Sequence, residues 1–139
     1  MDVKSAKDRS ENMSRIVAKD TKAEIIVRQL LRRNDFCGYR LHWKKAPGTP
    51  DIAFPGRKIA IFVNGCFWHR HEDCRFAYTP KTRVNFWKKK FADNVDRDKK
   101  NYALLAEQDW KVIIIWECEL KKNRIQATEQ QLHNALTPP

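Results

Sequence analysis

Three parts of the chain are predicted as helices, two of them from hydrophobic residues that recur at helical spacing. A first helix is predicted at 23–33, after a capping pair at 20–21 and with Glu24 in its first turn. A long helix is predicted at 82–108, where apolar residues return every three or four positions, and the segment from 121 onward is predicted as a last helix. The apolar stripe of the first helix consists of Ile26, Val27, Leu30 and Leu31.

Short apolar runs between turn residues predict strands. Residues 39–43 alternate as in a short strand, and the runs at 51–54 and 59–63 flank a Pro-Gly turn, which favours an antiparallel hairpin. The run at 112–116 is continuously apolar, as in strands that are covered on both faces. The order of helix, strands, helix, strand and helix predicts an α/β fold with a mixed central sheet flanked by helices.

Length and charge narrow the class of protein. The chain has a length that suits one domain spanning 1–139, and we expect residues 1–12 to be flexible in the absence of DNA. Lys and Arg number 28 against 17 Asp and Glu, which gives a net charge of +11. This charge lies in periodic segments rather than in low-complexity tails, so it favours a folded nucleic-acid-binding face over a basic ribosomal or membrane-surface protein.

The chain carries no recognisable targeting or membrane segment. Its start lacks the apolar stretch of a secretory signal, and no run approaches the ~20 apolar residues that span a bilayer. We therefore expect a cytoplasmic protein with no membrane partner. Thiols stay reduced in that compartment, so the four cysteines are expected to be metal ligands or free thiols rather than disulfides.

Cysteine and histidine are concentrated in the loop that follows the predicted hairpin. Cys66, His71 and Cys74 have the spacing C-x4-H-x2-C, and Cys118 follows the last predicted strand. Three thiolates and one imidazole are an ordinary ligand set for a structural zinc ion. The sequence therefore predicts a zinc ion that fastens the loop to the sheet; the alternative is a group of buried free cysteines with a surface histidine.

The same loop carries further side chains whose roles the spacing leaves open. His69 either replaces His71 as a ligand or stays free for proton transfer. Phe67 and Trp68 suit either a hydrophobic core or a stack against nucleic-acid bases.

Acidic residues are predicted to form a second site. Asp51 follows a proline at the start of the hairpin, a pair that also occurs in ordinary turns. Asp98 and Asn94 lie within the apolar stripe of the long helix, where an unpaired charge is costly. Together with Glu24 and the basic composition, these positions favour a magnesium site built from Asp51 and water.

These motifs together resemble the very-short-patch repair (Vsr) endonuclease family. The most specific are Gly-Cys-Phe-Trp-His at 65–69 and Trp-Glu-Cys at 116–118. Shorter matches lie at 9–13, 20–24, 50–51, 82–87, 94–98 and 110–112, so the resemblance covers about residues 8–120.

The resemblance implies a restriction-endonuclease-like fold and a defined reaction. Such enzymes nick one strand of duplex DNA on the 5′ side of the thymine in a T:G mismatch, which arises when 5-methylcytosine is deaminated. The implied cofactors are catalytic Mg²⁺ and structural Zn²⁺. The implied partners are T:G-mismatched double-stranded DNA and other mismatch-repair proteins, for an enzyme expected to be a monomer in the bacterial cytosol.

The resemblance also implies roles for individual residues. Asp51 and the backbone carbonyl of Val63 would hold magnesium, and His69 would be the general base or would position water. Glu24 and Asp98 would complete the catalytic site, with Asn64 and Asn94 as accessory residues. The implied zinc ligands are Cys66, His71, Cys74 and Cys118. The implied DNA wedge consists of Met13, Phe67 and Trp68.

The chain departs from the family pattern beside the catalytic residues. Val63 and Asn64 stand where many relatives have threonine and histidine, and an amide cannot transfer a proton as an imidazole can. One extra residue also separates His71 from Cys74. Two other functions remain open at this point: a nuclease of the same fold without mismatch preference, and a zinc-stabilised DNA-binding module without catalysis.

Overall fold

The computed structural model of the protein describes residues 21–137, which form three α-helices around one four-stranded sheet. Met13 and the segment 1–12 lie outside the described residues. The helices are α1 (Lys22–Arg33), α2 (Val84–Glu107) and α3 (Ile125–Leu136). The strands are β1 (Arg40–Leu41), β2 (Ile52–Phe54), β3 (Ile59–Asn64) and β4 (Lys111–Trp116). Short 3₁₀ turns occupy Pro55–Arg57 and Glu117–Leu120.

Helix α1 begins at a reciprocal cap between Thr21 and Glu24. The Thr21 hydroxyl accepts a hydrogen bond from the Glu24 N–H at 3.2 Å, and the Glu24 carboxylate accepts one from the Thr21 N–H at 2.7 Å. The two backbone N–H groups are donors that a helix start otherwise leaves without a partner. The predicted helix start is therefore confirmed, and the cap fixes the direction of the Glu24 side chain.

The sheet is mixed, as the sequence predicts. Its strand order is β1-β2-β3-β4; β2 pairs antiparallel with both β1 and β3, whereas β4 pairs parallel with β3. The β2–β3 hairpin confirms the predicted turn. The parallel register places Asn64 opposite Trp116, so the chain leaves β3 and β4 at the same edge of the sheet.

Helices cover both faces of this sheet. One core joins α1 and α3 to the odd-numbered positions of β3, Ile59 and Ile61. The other joins Leu105 of α2 to the even-numbered positions, Ala60 and Phe62. Alternate strand residues point to opposite faces, so β3 is covered on both faces and is buried at every position except Val63.

Strand β4 differs from its prediction. Ile113 and Ile115 are buried, whereas Val112, Ile114 and Trp116 keep intermediate exposure. Full cover on both faces was therefore wrong for this strand. The reason is that, within the described residues, β4 is an edge strand that pairs with β3 alone.

No helix within residues 21–137 has the length and apolar character to cross a membrane.

Candidate active site and metal centres

A carboxylate–imidazole cluster lies where α1, β1 and β2 meet. The ligand atoms of Glu24, His42 and Asp51 all lie within 4.8 Å of one another. Nε2 of His42 is 3.1 Å from Oε1 of Glu24, and Oδ2 of Asp51 accepts a hydrogen bond of 2.7 Å from the Val63 N–H. The chemistry of this donor set fits a divalent cation, since carboxylates and imidazole are ordinary ligands of such ions.

Burial and mutual contact give the carboxyl groups of Asp51 and Glu24 different pKa values. Burial, followed by the hydrogen bond and charge of Glu24, raises the pKa of Asp51 to about 8. Burial also acts to raise the pKa of Glu24, but hydrogen bonds with Asp51, the Thr21 backbone and His42 bring it below its ordinary value. The two groups therefore share one proton near neutral pH, and a bound cation would take the place of that proton.

His69 is paired with Asp98. Its Nδ1 lies 2.5 Å from Oδ2 of Asp98, and both side chains are mostly buried. A carboxylate at Nδ1 fixes the imidazole tautomer with the proton on that nitrogen, which leaves Nε2 as a proton acceptor. The ring of His69 therefore faces Asp98 and not the cysteines, and His71 is the histidine that lies within the cysteine cluster.

Helix α2 holds the loop that carries His69. Asn94, one turn before Asp98, donates a hydrogen bond of 3.2 Å to the carbonyl of Trp68. Two side chains from one helix face thus hold two consecutive loop residues. The polar positions within the predicted apolar stripe of α2 therefore have partners, as the cost of burying them requires.

Tyr102 joins helix α2 to the end of β3. Its hydroxyl accepts a hydrogen bond of 2.9 Å from Nδ2 of Asn64, which is itself buried. Burial raises the pKa of Tyr102 to about 12; the bond from Asn64 opposes this rise, and the charges of Asp98 and Asp51 add to it. Val63 binds Asp51, and its neighbour Asn64 binds Tyr102, which lies one turn after Asp98 on α2. The Asp51 cluster and the His69–Asp98 pair therefore lie at the same end of β3.

The predicted sulfur ligands meet beside the end of β3. The ligand atoms of Cys66, His71, Cys74 and Cys118 all lie within 4.8 Å of one another. Nδ1 of His71 is 3.4 Å from the Cys118 sulfur, and the ring stacks on Trp116 with centroids 4.2 Å apart and planes 9° apart. This cluster can bind a metal, and its Cys3His composition fits tetrahedral zinc.

The thiols of this cluster ionise unequally. Burial raises the pKa of Cys66 to about 12, and burial likewise raises the pKa of Cys118. For Cys74 the effect of burial is outweighed by hydrogen bonds from the backbones of Phe76 and Ala77 and from the other sulfurs, so its pKa falls. A bound cation would therefore be needed for all three groups to be thiolates at the same time.

The two aromatic residues of the loop pack against α2 and against each other. Trp68 is 7% exposed, whereas Phe67 keeps intermediate exposure. The rings of Trp68, Tyr78, Trp87 and Phe91 lie with their centroids 5.0–5.6 Å from that of Phe67. Phe67 is therefore the central ring of an aromatic cluster at the surface.

Residues 1–75 match the family of DNA mismatch endonucleases named Vsr. The chain is 36% identical over 135 residues to the DNA mismatch endonuclease Vsr of Escherichia coli, a match covering 97% of this chain and 85% of that one. The protein belongs to the Vsr family. It is also 43% identical over 126 residues to the type II nicking enzyme V.XorIIP of Xanthomonas oryzae pv. oryzae, covering 91% of this chain and 90% of the relative. Another relative, the type II nicking enzyme V.NmeAIP of Neisseria meningitidis, is 40% identical over 124 residues.

Membership of the Vsr family makes the protein a DNA endonuclease. Sequence reasoning missed one residue of the candidate site, His42. His42 was predicted as an ordinary member of the strand at 39–43, yet its ring lies against Glu24. The strand is shorter than predicted, Arg40–Leu41, so His42 lies just beyond its end, and the alternating pattern carried no signal for the ring itself. Only the pairing of β1 with β2 brings His42 opposite Asp51, where its N–H donates to the Asp51 carbonyl at 3.0 Å.

Proposed function

We propose that this Vsr-family endonuclease nicks one strand of duplex DNA 5′ of the thymine in a T:G mismatch, and so begins repair of deaminated 5-methylcytosine. The observation that supports it best is that the Asp51 cluster and the His69–Asp98 pair lie at the same end of β3. Hydrolysis of a phosphodiester requires both a place for a cation and a group that accepts a proton from water.

Asp51 is the residue that would hold the catalytic Mg²⁺, together with the backbone carbonyl of Val63 and water. The carboxylate is already held in place by the Val63 N–H. Magnesium bound here would neutralise charge on the scissile phosphate. The pKa of Glu24 is lowered, so this carboxylate contributes a negative charge beside Asp51 that attracts the cation.

His69 is the proposed general base. With Nδ1 turned to Asp98, its Nε2 takes a proton from the attacking water, and the Asp98 carboxylate stabilises the imidazolium that forms. Asn94 and Asn64 act as accessory residues. Asn94 fixes the loop at Trp68, and Asn64 is oriented by Tyr102.

Zinc is the proposed ion for the cysteine cluster, with Cys66, His71, Cys74 and Cys118 as its four ligands. With four protein ligands the site would leave no position open to water, as is typical of structural rather than catalytic zinc. His69 lies between two of these ligands in the chain, so zinc would keep the base in position.

Duplex DNA is expected to lie against the aromatic cluster around Phe67. Cationic groups surround it: Arg70 lies 4.1 Å from the Phe91 ring centroid, and Lys90 lies 5.4 Å from that of Trp68. Such groups neutralise phosphates, while an aromatic edge enters the base step that a mismatch has weakened. We propose Phe67 and Trp68 as the wedge, with Met13, which lies outside the described residues.

The burial of Trp68 favours one competing function, a nuclease of this fold without mismatch preference, because a buried ring must leave its pocket to reach the DNA. Strand-specific nicking of otherwise identical T:G, T:A and C:G duplexes with Mg²⁺ decides between them. A nick confined to the 5′ side of the mismatched thymine supports the proposal. Equal cleavage of all three supports the competitor, and binding without cleavage would indicate a DNA-binding module.

We propose one endonuclease domain over residues 1–139, acting as a monomer in the cytoplasm, because a mismatch has no two-fold symmetry for a dimer to match. Other mismatch-repair proteins are proposed partners. Sedimentation of the protein with and without a mismatched duplex tests the monomer.

A further inference from the structure

His42 is held at the candidate active site by its backbone. It follows β1 with φ of 44°, in the left-handed region that non-glycine residues seldom adopt. Two backbone hydrogen bonds maintain this conformation. The His42 N–H donates to the Asp51 carbonyl at 3.0 Å, and the Trp43 N–H donates to the Pro50 carbonyl at 3.1 Å. The β1–β2 pairing thus fixes the position of the imidazole beside both carboxylates.

The ring presents a nitrogen where a cation ligand belongs. Nε2 of His42 is 3.1 Å from Oε1 of Glu24, and the ligand atoms of His42, Glu24 and Asp51 lie within 4.8 Å of one another. Ligand bonds of about 2.1 Å at right angles place two neighbouring ligand atoms about 3.0 Å apart. The side chain of His42 is 21% exposed, so the cluster stays open to solvent on its imidazole side.

We propose that His42 is a direct ligand of the divalent cation at this site, so that the ion is bound by one nitrogen as well as by carboxylate oxygens. The inference rests on the proposed role of Asp51 as a metal ligand. It adds a ligand that neither the motifs nor the family resemblance assigns.

The added nitrogen changes which ion the site prefers. Magnesium favours oxygen ligands and retains several waters, whereas imidazole favours first-row transition metals. Manganese accepts carboxylate and imidazole alike. A site formed by His42, Glu24 and Asp51 therefore binds Mn²⁺ in preference to Mg²⁺, although both ions can occupy it.

The competing role for His42 is that of a hydrogen-bond donor which orients Glu24 without touching the ion. The distance of 3.1 Å between Nε2 and Oε1 suits that role equally well. The two roles differ in what a bound ion experiences. A ligating imidazole couples its nitrogen nucleus to the electron spin of Mn²⁺, whereas a donor to Glu24 does not.

The test is Mn²⁺ binding by the full-length, zinc-loaded protein, measured without DNA. Pulsed electron paramagnetic resonance of bound Mn²⁺ is expected to show nitrogen-14 coupling in the wild type and none in His42→Gln. In titrations, His42→Gln is expected to weaken Mn²⁺ binding on the order of tenfold or more while changing Mg²⁺ binding far less. Glutamine keeps a hydrogen-bond donor for Glu24, so it removes the nitrogen ligand selectively.

Two further variants locate the ion. His69→Gln is expected to keep the nitrogen-14 coupling, and Asp51→Asn is expected to abolish Mn²⁺ binding. Absence of coupling in the wild type, its persistence in His42→Gln, or unchanged Mn²⁺ binding in Asp51→Asn would each overturn the proposal. The measurement needs no cleavage, so failure to nick a T:G duplex would count against the proposed function and leave the result on His42 intact.

Discussion

Asp98 and His69 are 29 positions apart in the chain and are joined by a hydrogen bond of 2.5 Å between Oδ2 and Nδ1. The contact links the middle of α2 to the loop after β3, so the helix that closes one face of the sheet also sets the direction of the imidazole. Asn94 adds a second contact to the same loop. The candidate base is therefore placed by the fold rather than by its loop alone.

We expect Asp98→Asn to slow nicking of a T:G duplex by about 10²–10⁴-fold, because the amide no longer stabilises the imidazolium or enforces its tautomer. DNA affinity should not weaken. Single-turnover nicking and a binding titration provide the two measurements. Asp96→Asn is the matched control, since Asp96 lies two residues away on the same helix and is exposed. Equal losses in both variants would show an effect of helix charge instead.

Replacing Cys118 by serine is expected to remove zinc and lower the free energy of unfolding. A loss of about 3 kcal/mol corresponds to a fall in Tm of roughly 10 °C for a domain of this size. Thermal unfolding combined with metal analysis measures both effects. Cys37→Ser is the control, because Cys37 is an exposed free cysteine remote from the cluster in sequence. Native protein without stoichiometric zinc would refute the ligand assignment.

Stability should depend on pH through Asp51. Its pKa is raised from 3.8 to about 8 on folding, so the folded state binds more protons than the unfolded state between these values. The free energy of unfolding of the magnesium-free protein therefore falls as pH rises through this window, by at most about 1.4 kcal/mol per pH unit for the one proton. Added Mg²⁺ replaces the proton, so its stabilising effect should grow with pH.

Urea unfolding between pH 5.5 and 8 checks this dependence, in buffers freed of magnesium without a strong chelator so that zinc is retained. The asparagine of Asp51→Asn does not titrate in this window. We therefore expect the free energy of unfolding of this variant to fall less steeply with pH than that of the wild type. Parallel wild-type and Asp51→Asn profiles would show that this carboxyl does not titrate in the window.

Phe67 and Trp68 should respond differently to replacement by alanine. Trp68 is 7% exposed, so its removal should cost about 3–5 kcal/mol of stability whatever its role on DNA. Phe67 is more exposed, and its replacement should mainly reduce the preference for T:G over T:A duplexes. Thermal unfolding and competitive binding separate the two effects. Phe86→Ala serves as the control for an exposed aromatic on α2; an equal loss of preference there would contradict a specific wedge.

The sequence predicts the helices and the hairpin well because their signals are local. The cap at Thr21 and Glu24, the turn before Lys58 and the repeat along α2 each involve residues only a few positions apart. The cysteine cluster was predictable for a different reason, since thiols and imidazole at this spacing have a restricted chemistry.

Features that depend on distant pairing could not be predicted in this way. The place of His42 follows from the register of β1 on β2 and from a left-handed backbone, which no repeat of apolar residues encodes. The burial of Trp68 depends on how α2 crosses the loop, and the unequal cover of β4 depends on which strand lies beside it. Periodicity predicts the elements, but not which neighbours they meet.

His69 stands three residues after Cys66 and two before His71 in the chain. Two of the proposed metal ligands thus bracket the candidate general base in sequence, and closure of the cluster around an ion would restrict where this imidazole can lie. Metal-loaded and metal-stripped protein are therefore expected to differ in nicking rate as well as in stability.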